Sequence, residues 1–385
     1  MEKQITAVLI DTSAYHNRQC DFAGIMSAMV PTFLRLMETN HIPVLSHPVL
    51  DSEIRKHIYE SDIVKRAEKL CSTIQKNKAI MAFAGFGTQD ILEQASAKKV
   101  ADSLISKYEE LSKGFVMLPY VDAQEVFADY FNAKPPFSEN GSKKSEFPDA
   151  FILKGLLKYC VENPNAQILV ISDDPDWKKT LADNTQIQMV NTLKDGLTYL
   201  WSQLGDKAEF VWRIWADKTE EIMVEIASAA ESEAFSIDDI YELEDIEISN
   251  IRTTSMVGNM TPLEITEDSV LVHATVSLTV DGMAEYLDES RSVWDKEDGV
   301  YCFLAYSRMT FQEASAEAEC EVKLGFPADG SMNPIEIKEV RITNKWDICI
   351  DVSEADVAYE DITDYGEDAW RAEQAEALEG YHNHK

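Results

Sequence analysis

Carboxylates crowd the end of an apolar run at residues 168–177, ILVISDDPDW: Ile168, Leu169, Val170 and Ile171 lead through Ser172 into Asp173, Asp174, Pro175 and Asp176. Acids this close repel one another, and a buried one stays ionised only beside a cation or under hydrogen bonds. Two readings fit the stretch alone, a divalent-metal ligand set or an acidic turn in which Pro175 opens the next helix. Other acids converging on the same place decide between them. Asp11, followed by Thr12 and Ser13, ends a second apolar run at 5–10 (ITAVLI), and Glu53 lies near the start of a helix in PVLDSEIRKH, with Asp51 or Ser52 as its cap. Asp149 follows Pro148, a residue suited to the first helical position. The first turn of that helix favours an ionised carboxylate.

These acids need a frame. The runs at 5–10 and 168–171 suit strands buried on both faces of a parallel sheet, and residues 42–45 and 186–190 read as two more. Between them Ile25, Met29, Phe33, Leu36 and Met37 recur at helical spacing. Residues 60–80 and 88–112 read as lysine-rich surface helices. The segment 122–132 (DAQEVFADYFN) is a helix with Val126, Phe127, Tyr130 and Phe131 on its packed side. A loop over 133–146 carries Pro135, Pro136, Gly141, Lys143 and Lys144, one helix begins near Trp177, and NTLKDGLTYLW forms another. Strands alternating with helices, with an acid after a strand or at a helix start, describe an open α/β sheet. Its site lies outside the carboxyl ends of the strands.

The ordered motifs DTS, PVLDSEIRKH, PPF, KKSEFPDAFIL and ILVISDDPDW resemble a PIN-like nuclease domain, and EFPDAFIL and VDAQEVFADYF are similar to a bacterial branch of it. The resemblance covers residues 1–205. It implies a metal-dependent nuclease acting on RNA, less often DNA, with Asp11, Glu53, Asp149 and Asp174 as the catalytic, metal-holding acids and Asp176 as an outer member. Thr12, Ser13 and Ser172 are the polar residues beside them. The sequence departs from the usual pattern in having Asp173 or Pro175 where a basic or polar residue is expected. The chemistry agrees: phosphodiester hydrolysis needs a nucleophilic water and a counter-charge on phosphate, which carboxylate-bound Mg²⁺ or Mn²⁺ supplies. Hard oxygen ligands without neighbouring Cys or His select those ions over zinc.

Substrate contacts are expected from Ser13, Ser172, Lys143, Lys144 and Lys178, with Lys179 beside them; solvated loop lysines are the alternative. Tyr15 and His16 either stack a base or simply pack. Gly85 and Gly87 lack the pattern of a phosphate-binding loop. The terminal His382, Asn383 and His384 are no nuclease motif, for no hairpin and helix surround them.

Charge divides the chain. Residues 1–205 hold 26 Asp and Glu against 22 Lys and Arg, and residues 206–385 hold 43 against 13. An acidic half repels nucleic acid and membranes; it is either a solvated surface or a module for a basic protein partner. Six scattered cysteines without a CxxC pair read as reduced thiols. Without a membrane-length apolar run or a signal peptide, a cytoplasmic location is expected. The expected organisation is a PIN-like α/β domain (1–205), a helical linker (206–239), an acidic antiparallel β domain (240–352, a sandwich or open barrel) and an acidic tail (353–385). In the second half, residues 268–280 alternate, with Val270, Val272, Ala274, Val276, Leu278 and Val280 on one face and His273, Thr275, Ser277 and Thr279 on an exposed one. Further strands are expected at 300–311, 318–326, 334–343 and 346–352.

Three functions follow: a metal-dependent endoribonuclease in the manner of bacterial toxin or phage-defence nucleases, a single-strand or structure-specific DNA nuclease, and a non-catalytic PIN-like binding scaffold. Nucleic acid, a basic protein and a second copy of the chain are the partners these readings admit.

Overall fold

Every side chain of residues 7–10 and 168–171 is buried, as expected of strands covered on both faces. The computed structural model of the chain describes residues 4–137, 146–203, 207–238, 240, 243–258, 260–295, 300–327, 335–344 and 347–363. In chain order the elements begin β1 (Ala7–Ile10), α1 (Thr12–His16), α2 (Met29–Thr39), β2 (Val44–Ser46), α3 (Pro48–Glu60), α4 (Asp62–Lys76), α5 (Lys78–Phe83), α6 (Gln89–Gln94) and α7 (Ala97–Leu111). They continue with β3 (Val116–Met117), α8 (Ala123–Phe131), α9 (Phe147–Glu162), β4 (Ile168–Ile171), α10 (Pro175–Leu181), β5 (Ile187–Val190), α11 (Leu193–Gln203) and α12 (Lys207–Ala230). Strands then dominate: β6 (Phe235–Ile237), β7 (Leu243–Met256), β8 (Thr261–Ile265), β9 (Ser269–Leu287), β10 (Val293–Asp295), β11 (Val300–Phe303), β12 (Tyr306–Gly325), β13 (Glu336–Ile342), β14 (Ile348–Asp351) and β15 (Asp356–Asp361).

The chain divides into two compact units. The first contains an all-parallel sheet in the order β3-β2-β1-β4-β5, with Ala7 opposite Ile168 and Ile10 opposite Ile171. The pleat sends alternate residues to opposite faces. Val8, Ile10, Leu169 and Ile171 join a core with Phe33, Ile58, Tyr108 and Leu197, while Ala7, Leu9, Ile168 and Val170 join one with Leu50, Ile152, Leu156 and Trp177. A Cβ at Gly196 would lie 2.7 Å from Ile171 Cδ1. The glycine therefore lets α11 lie close against the end of β4.

Three local expectations are corrected. Helix α2 starts at Met29, and Ile25 is an exposed residue of the preceding loop. Neither Asp51 nor Ser52 caps α3. Its cap is His47, whose Nδ1 accepts from the Val49 amide at 3.2 Å ahead of Pro48, while Asp51 pairs with Arg55 and accepts from the Tyr108 hydroxyl. On α8 only Val126 is buried, and Phe127 and Phe131 face solvent.

The first unit also takes in Met260–His273 and Glu321–Glu339. Within it β8 lies on α11: Trp201 Nε1 donates to the Pro262 carbonyl at 2.6 Å, the Thr198 and Thr261 hydroxyls are 3.1 Å apart, and Leu263 enters the core. Glu321 is buried and accepts from Ser27 Oγ at 2.7 Å and from the Ala28 amide at 2.8 Å. It thereby serves the first turn of α2, whose own cap residue is an alanine with nothing to offer.

The second unit comprises Thr219–Asn259, Ala274–Cys320 and Val340–Lys385. Its strands follow the order β6-β14-β12-β9-β7, with β15 also on β12 and a separate β10-β11 ribbon. β6 and β14 run parallel and the other registered pairs antiparallel, so the sheet is mixed where an antiparallel one was expected. The segments expected at 300–311 and 318–326 overlap one twenty-residue strand, β12, with Glu313 in the left-handed region at φ 56°. In β9 the face expected to be exposed is half-covered, and in the first unit His273 is fully buried. Residues 364–385 of the expected tail, including His382, Asn383 and His384, lie outside the described residues.

Candidate functional site

Asp11 closes β1, where its amide donates to the Ile171 carbonyl at 2.9 Å and so ties together the carboxyl ends of the two central strands. Its buried carboxylate is surrounded by hydroxyls: Ser13 Oγ donates at 2.7 Å and Ser172 Oγ at 2.8 Å, both to Oδ2, while Thr12 Oγ1 lies 3.3 Å from Oδ1. Thr12 Oγ1 is also 3.4 Å from Glu53 Oε2. One hydroxyl proton is thus shared between two acids, and it satisfies only one at a time. Glu53 stands in the second turn of α3, whose start is fixed by His47 and Pro48.

Asp149 occupies the first turn of α9, as Pro148 led us to expect. Its Oδ1 accepts from the indole Nε1 of fully buried Trp177 at 3.0 Å, an anchor held in place by packing. Asp174 is the cap of α10 and accepts from the amides of Asp176 at 2.6 Å and Trp177 at 3.4 Å. Its own amide donates to Ser172 Oγ at 3.2 Å, so Ser172 links Asp174 to Asp11. The α10 turn therefore positions two things at once, the Asp174 carboxylate and the indole that steers Asp149.

The four acids share one electric field. Burial pushes the Asp149 carboxyl up to about 7; the Trp177 hydrogen bond opposes this, and the negative charges of Asp11, Glu53 and Asp174 add to it. Glu53 is raised by burial and then by Asp11, and Asp11 by burial against its hydroxyl donors. Among the described residues none of the four forms an ion pair with Lys or Arg.

Hard oxygen donors, mutual repulsion and the lack of a resident cation among the described side chains are what a divalent ion would relieve. The donor set fits such an ion chemically. Among the described residues, however, no three His, Cys, Asp or Glu side chains surround one point closely enough to hold one. Each acid is turned toward the hydrogen bonds given above.

Asp176 is half-buried in the first turn of α10, and Asp173 is exposed, with Asn17 Nδ2 at 3.5 Å from its Oδ2. Lys178 and Lys179 are exposed in the last turn of α10. Lys143 and Lys144 lie outside the described residues. Tyr15 is buried against Phe22, which leaves packing as its role, whereas His16 is exposed. Sequence reasoning missed two neighbours of the acids. Trp177 gave no signal beyond its place in the acidic turn. His57, whose ring lies 4.7 Å from that of His16, was legible in principle from its spacing of four after Glu53.

The first unit thus sets a parallel sheet with helices on both faces and acids at its carboxyl edge. Residues 8–177 match the family model of the PIN domain, and this part of the chain is a PIN-like domain. PIN domains act on nucleic acid and generally use divalent metal ions. Neither the curated proteins nor the solved structures gave a match to this chain. No helix among the described residues is long and apolar enough to cross a membrane.

Proposed function

We propose that this chain is a metal-dependent endoribonuclease whose metal would be held by Asp11, Glu53, Asp149 and Asp174, with Asp176 in an outer position. The observation that carries the reading is Asp149, held by the Trp177 indole at the carboxyl edge of the sheet: its carboxyl is raised to about 7 by burial and, beyond that, by the charges of Asp11, Glu53 and Asp174, a state that a bound cation would reverse. When bound, Mg²⁺ or Mn²⁺ lowers the pKa of a water and offsets the charge developing on phosphate. The chain's own residues prepare that site. Trp177 fixes the rotamer of Asp149, the hydroxyls of Ser13 and Ser172 orient Asp11, and Ser172 couples it to the Asp174 turn. Asp149 would hold the cation in its deprotonated form. Ser13, Lys178, Lys143 and Lys144 are the proposed contacts for the strand, while Ser172, expected to join them, is fully buried and acts through Asp11.

The acidic second half is proposed to take a basic protein partner. A groove of about 540 Å³ lined by Glu317, Glu319, Asp347 and Asp351 supports this reading. A role in toxicity or phage defence is the corresponding biological expectation.

The test is incubation of the purified chain with end-labelled single-stranded RNA and DNA in Mg²⁺, Mn²⁺ or EDTA. RNA cleaved internally with cation and intact in EDTA is the expected result. Cleavage of DNA alone would move the assignment to the DNA nuclease, and metal-independent binding without cleavage would leave a scaffold.

A further inference from the structure

Two of the helices that carry site residues, α1 and α3, each carry a histidine one turn beyond one of them. On α3, His57 follows Glu53 by four positions; on α1, His16 follows Thr12 by four. Residues at that spacing share a helix face. The two faces meet, for the imidazole rings lie 4.7 Å apart at an interplanar angle of 42°. One turn back on the same two helices, Thr12 Oγ1 lies 3.4 Å from Glu53 Oε2. The pair therefore borders the acidic cluster.

Neither imidazole is hydrogen-bonded to any of the four acids. The His57 side chain is 29% exposed, and its Nδ1 is buried without a hydrogen-bond partner. The nearest carboxylate oxygen to that nitrogen, Glu60 Oε2, is 3.7 Å away, beyond hydrogen-bond range. With Nδ1 closed to solvent, it is the exposed part of the His57 ring, beside exposed His16, that can meet a ligand, and an imidazole at the rim of an acidic cluster has a chemical use that lysine lacks there. Its N–H donates to a phosphate oxygen without placing a strong permanent cation beside the acids that must bind metal.

We propose that His16 and His57 form a phosphate-contact subsite for the nucleic acid strand, flanking the phosphate cleaved at the acids. The inference rests on the nuclease reading above and adds two residues to the substrate contacts, one on α1 and one on α3. The occupant is the phosphodiester backbone, and both histidines are contact residues with no part in bond breaking.

The test uses the full chain and the variants His57→Leu, His57→Gln and the double variant His16→Leu/His57→Leu, each checked by thermal melting. Initial rates on a fluorescein-labelled single-stranded RNA with Mg²⁺ give kcat and KM, and anisotropy gives the affinity for the same oligonucleotide with phosphorothioate linkages. The expected result for His57→Leu is KM and Kd raised about tenfold with kcat within about twofold, because a hydrogen bond to a charged oxygen is lost. Glutamine, which retains an N–H donor, should restore most of the affinity, and the double variant should bind more weakly still. Unchanged KM and Kd in the double variant, or a fall in kcat at constant KM, overturns the subsite while leaving the nuclease intact. A wild-type chain that neither binds nor cleaves the RNA overturns the nuclease reading itself, and the subsite with it.

Discussion

Buried carboxylates occur in two settings within the first unit. Asp21 and Glu321 are met by donors: Asp21 accepts from the amides of Ile25, Met26 and Ser27 at 2.6–3.0 Å, and Glu321 from Ser27 Oγ and the Ala28 amide. Both thus satisfy backbone donors leading into α2, where partial positive charge favours an anion. Buried Asp11 and half-buried Glu53 and Asp149 are met by side-chain donors, three hydroxyls on Asp11, the shared Thr12 hydroxyl on Glu53 and the Trp177 indole on Asp149. Burial holds all three carboxyls above the ordinary range, and like charge adds to it at Glu53 and Asp149. The same residue type is a staple where backbone donors saturate it and, in the reading proposed above, a cation ligand where they do not.

Amide substitution separates the two settings most sharply. Asp149→Asn retains an oxygen for the Trp177 indole, and Asp174→Asn retains a good cap for α10. Both variants should melt no lower than the wild type, since like-charge repulsion is relieved. Both should lose cleavage by about a thousandfold, roughly 4 kcal/mol of transition-state stabilisation. Gel-based cleavage rates beside melting curves check this. Unchanged cleavage by both purified variants would sink the proposed metal site.

The opposite pattern is expected at Glu321. Glu321→Ala removes an acceptor from Ser27 and Ala28 and should lower stability by about 2–3 kcal/mol, with specific activity at low temperature retained. Denaturant unfolding of the full chain measures it. The same residue shows why cutting away the acidic half is not a pure test of charge. A chain ending before residue 240 lacks Glu321, the Pro262 carbonyl that accepts from Trp201, and Leu263 in the core. Such a chain should unfold more easily whatever its affinity for nucleic acid.

Legibility in the sequence followed locality. The runs ending at Ile10 and Ile171 announce strands because a continuous apolar stretch of β-favouring residues suits both faces of a parallel sheet, and Pro148 announces the start of α9 because its missing amide is harmless there. The placement of Asp11, Asp149 and Asp174 at element ends followed from those signals alone. Glu321 was invisible, since a glutamate in the alternating strand β12 carries no mark that its partner is 294 positions away. β12 itself was read as two segments because its middle, QEASAEA, is rich in residues that disfavour strands. β3 has only two residues, too few for any periodicity, and β15 lay hidden in what read as an acidic tail. The Trp177–Asp149 bond is tertiary, joining two helix starts across 28 residues.

The smallest expected effect is thermodynamic. The Asp149 carboxyl rises from 3.8 to about 7 on folding, so between about pH 4 and pH 7 the folded chain holds a proton that the unfolded chain has released. Stability then falls as pH rises through that window, the reverse of a salt-bridged carboxylate. Asp281, Asp288 and Asp351 in the second unit are lowered by hydrogen bonds and charges and slope the other way. The informative quantity is therefore the difference between the wild type and Asp149→Asn. Discounted for partial exposure, that difference should grow by about 1–2 kcal/mol from pH 4.5 to pH 7.5 in EDTA, the wild type becoming relatively less stable. Millimolar Mg²⁺ at pH 7.5 should reverse it, because an ion that binds the ionised acids stabilises only the wild type. Urea unfolding of both proteins at four pH values, with and without Mg²⁺, reads this directly. A difference independent of pH would mean that Asp149 is held by its donors much as Glu321 is, and the contrast between staple and cation site would disappear.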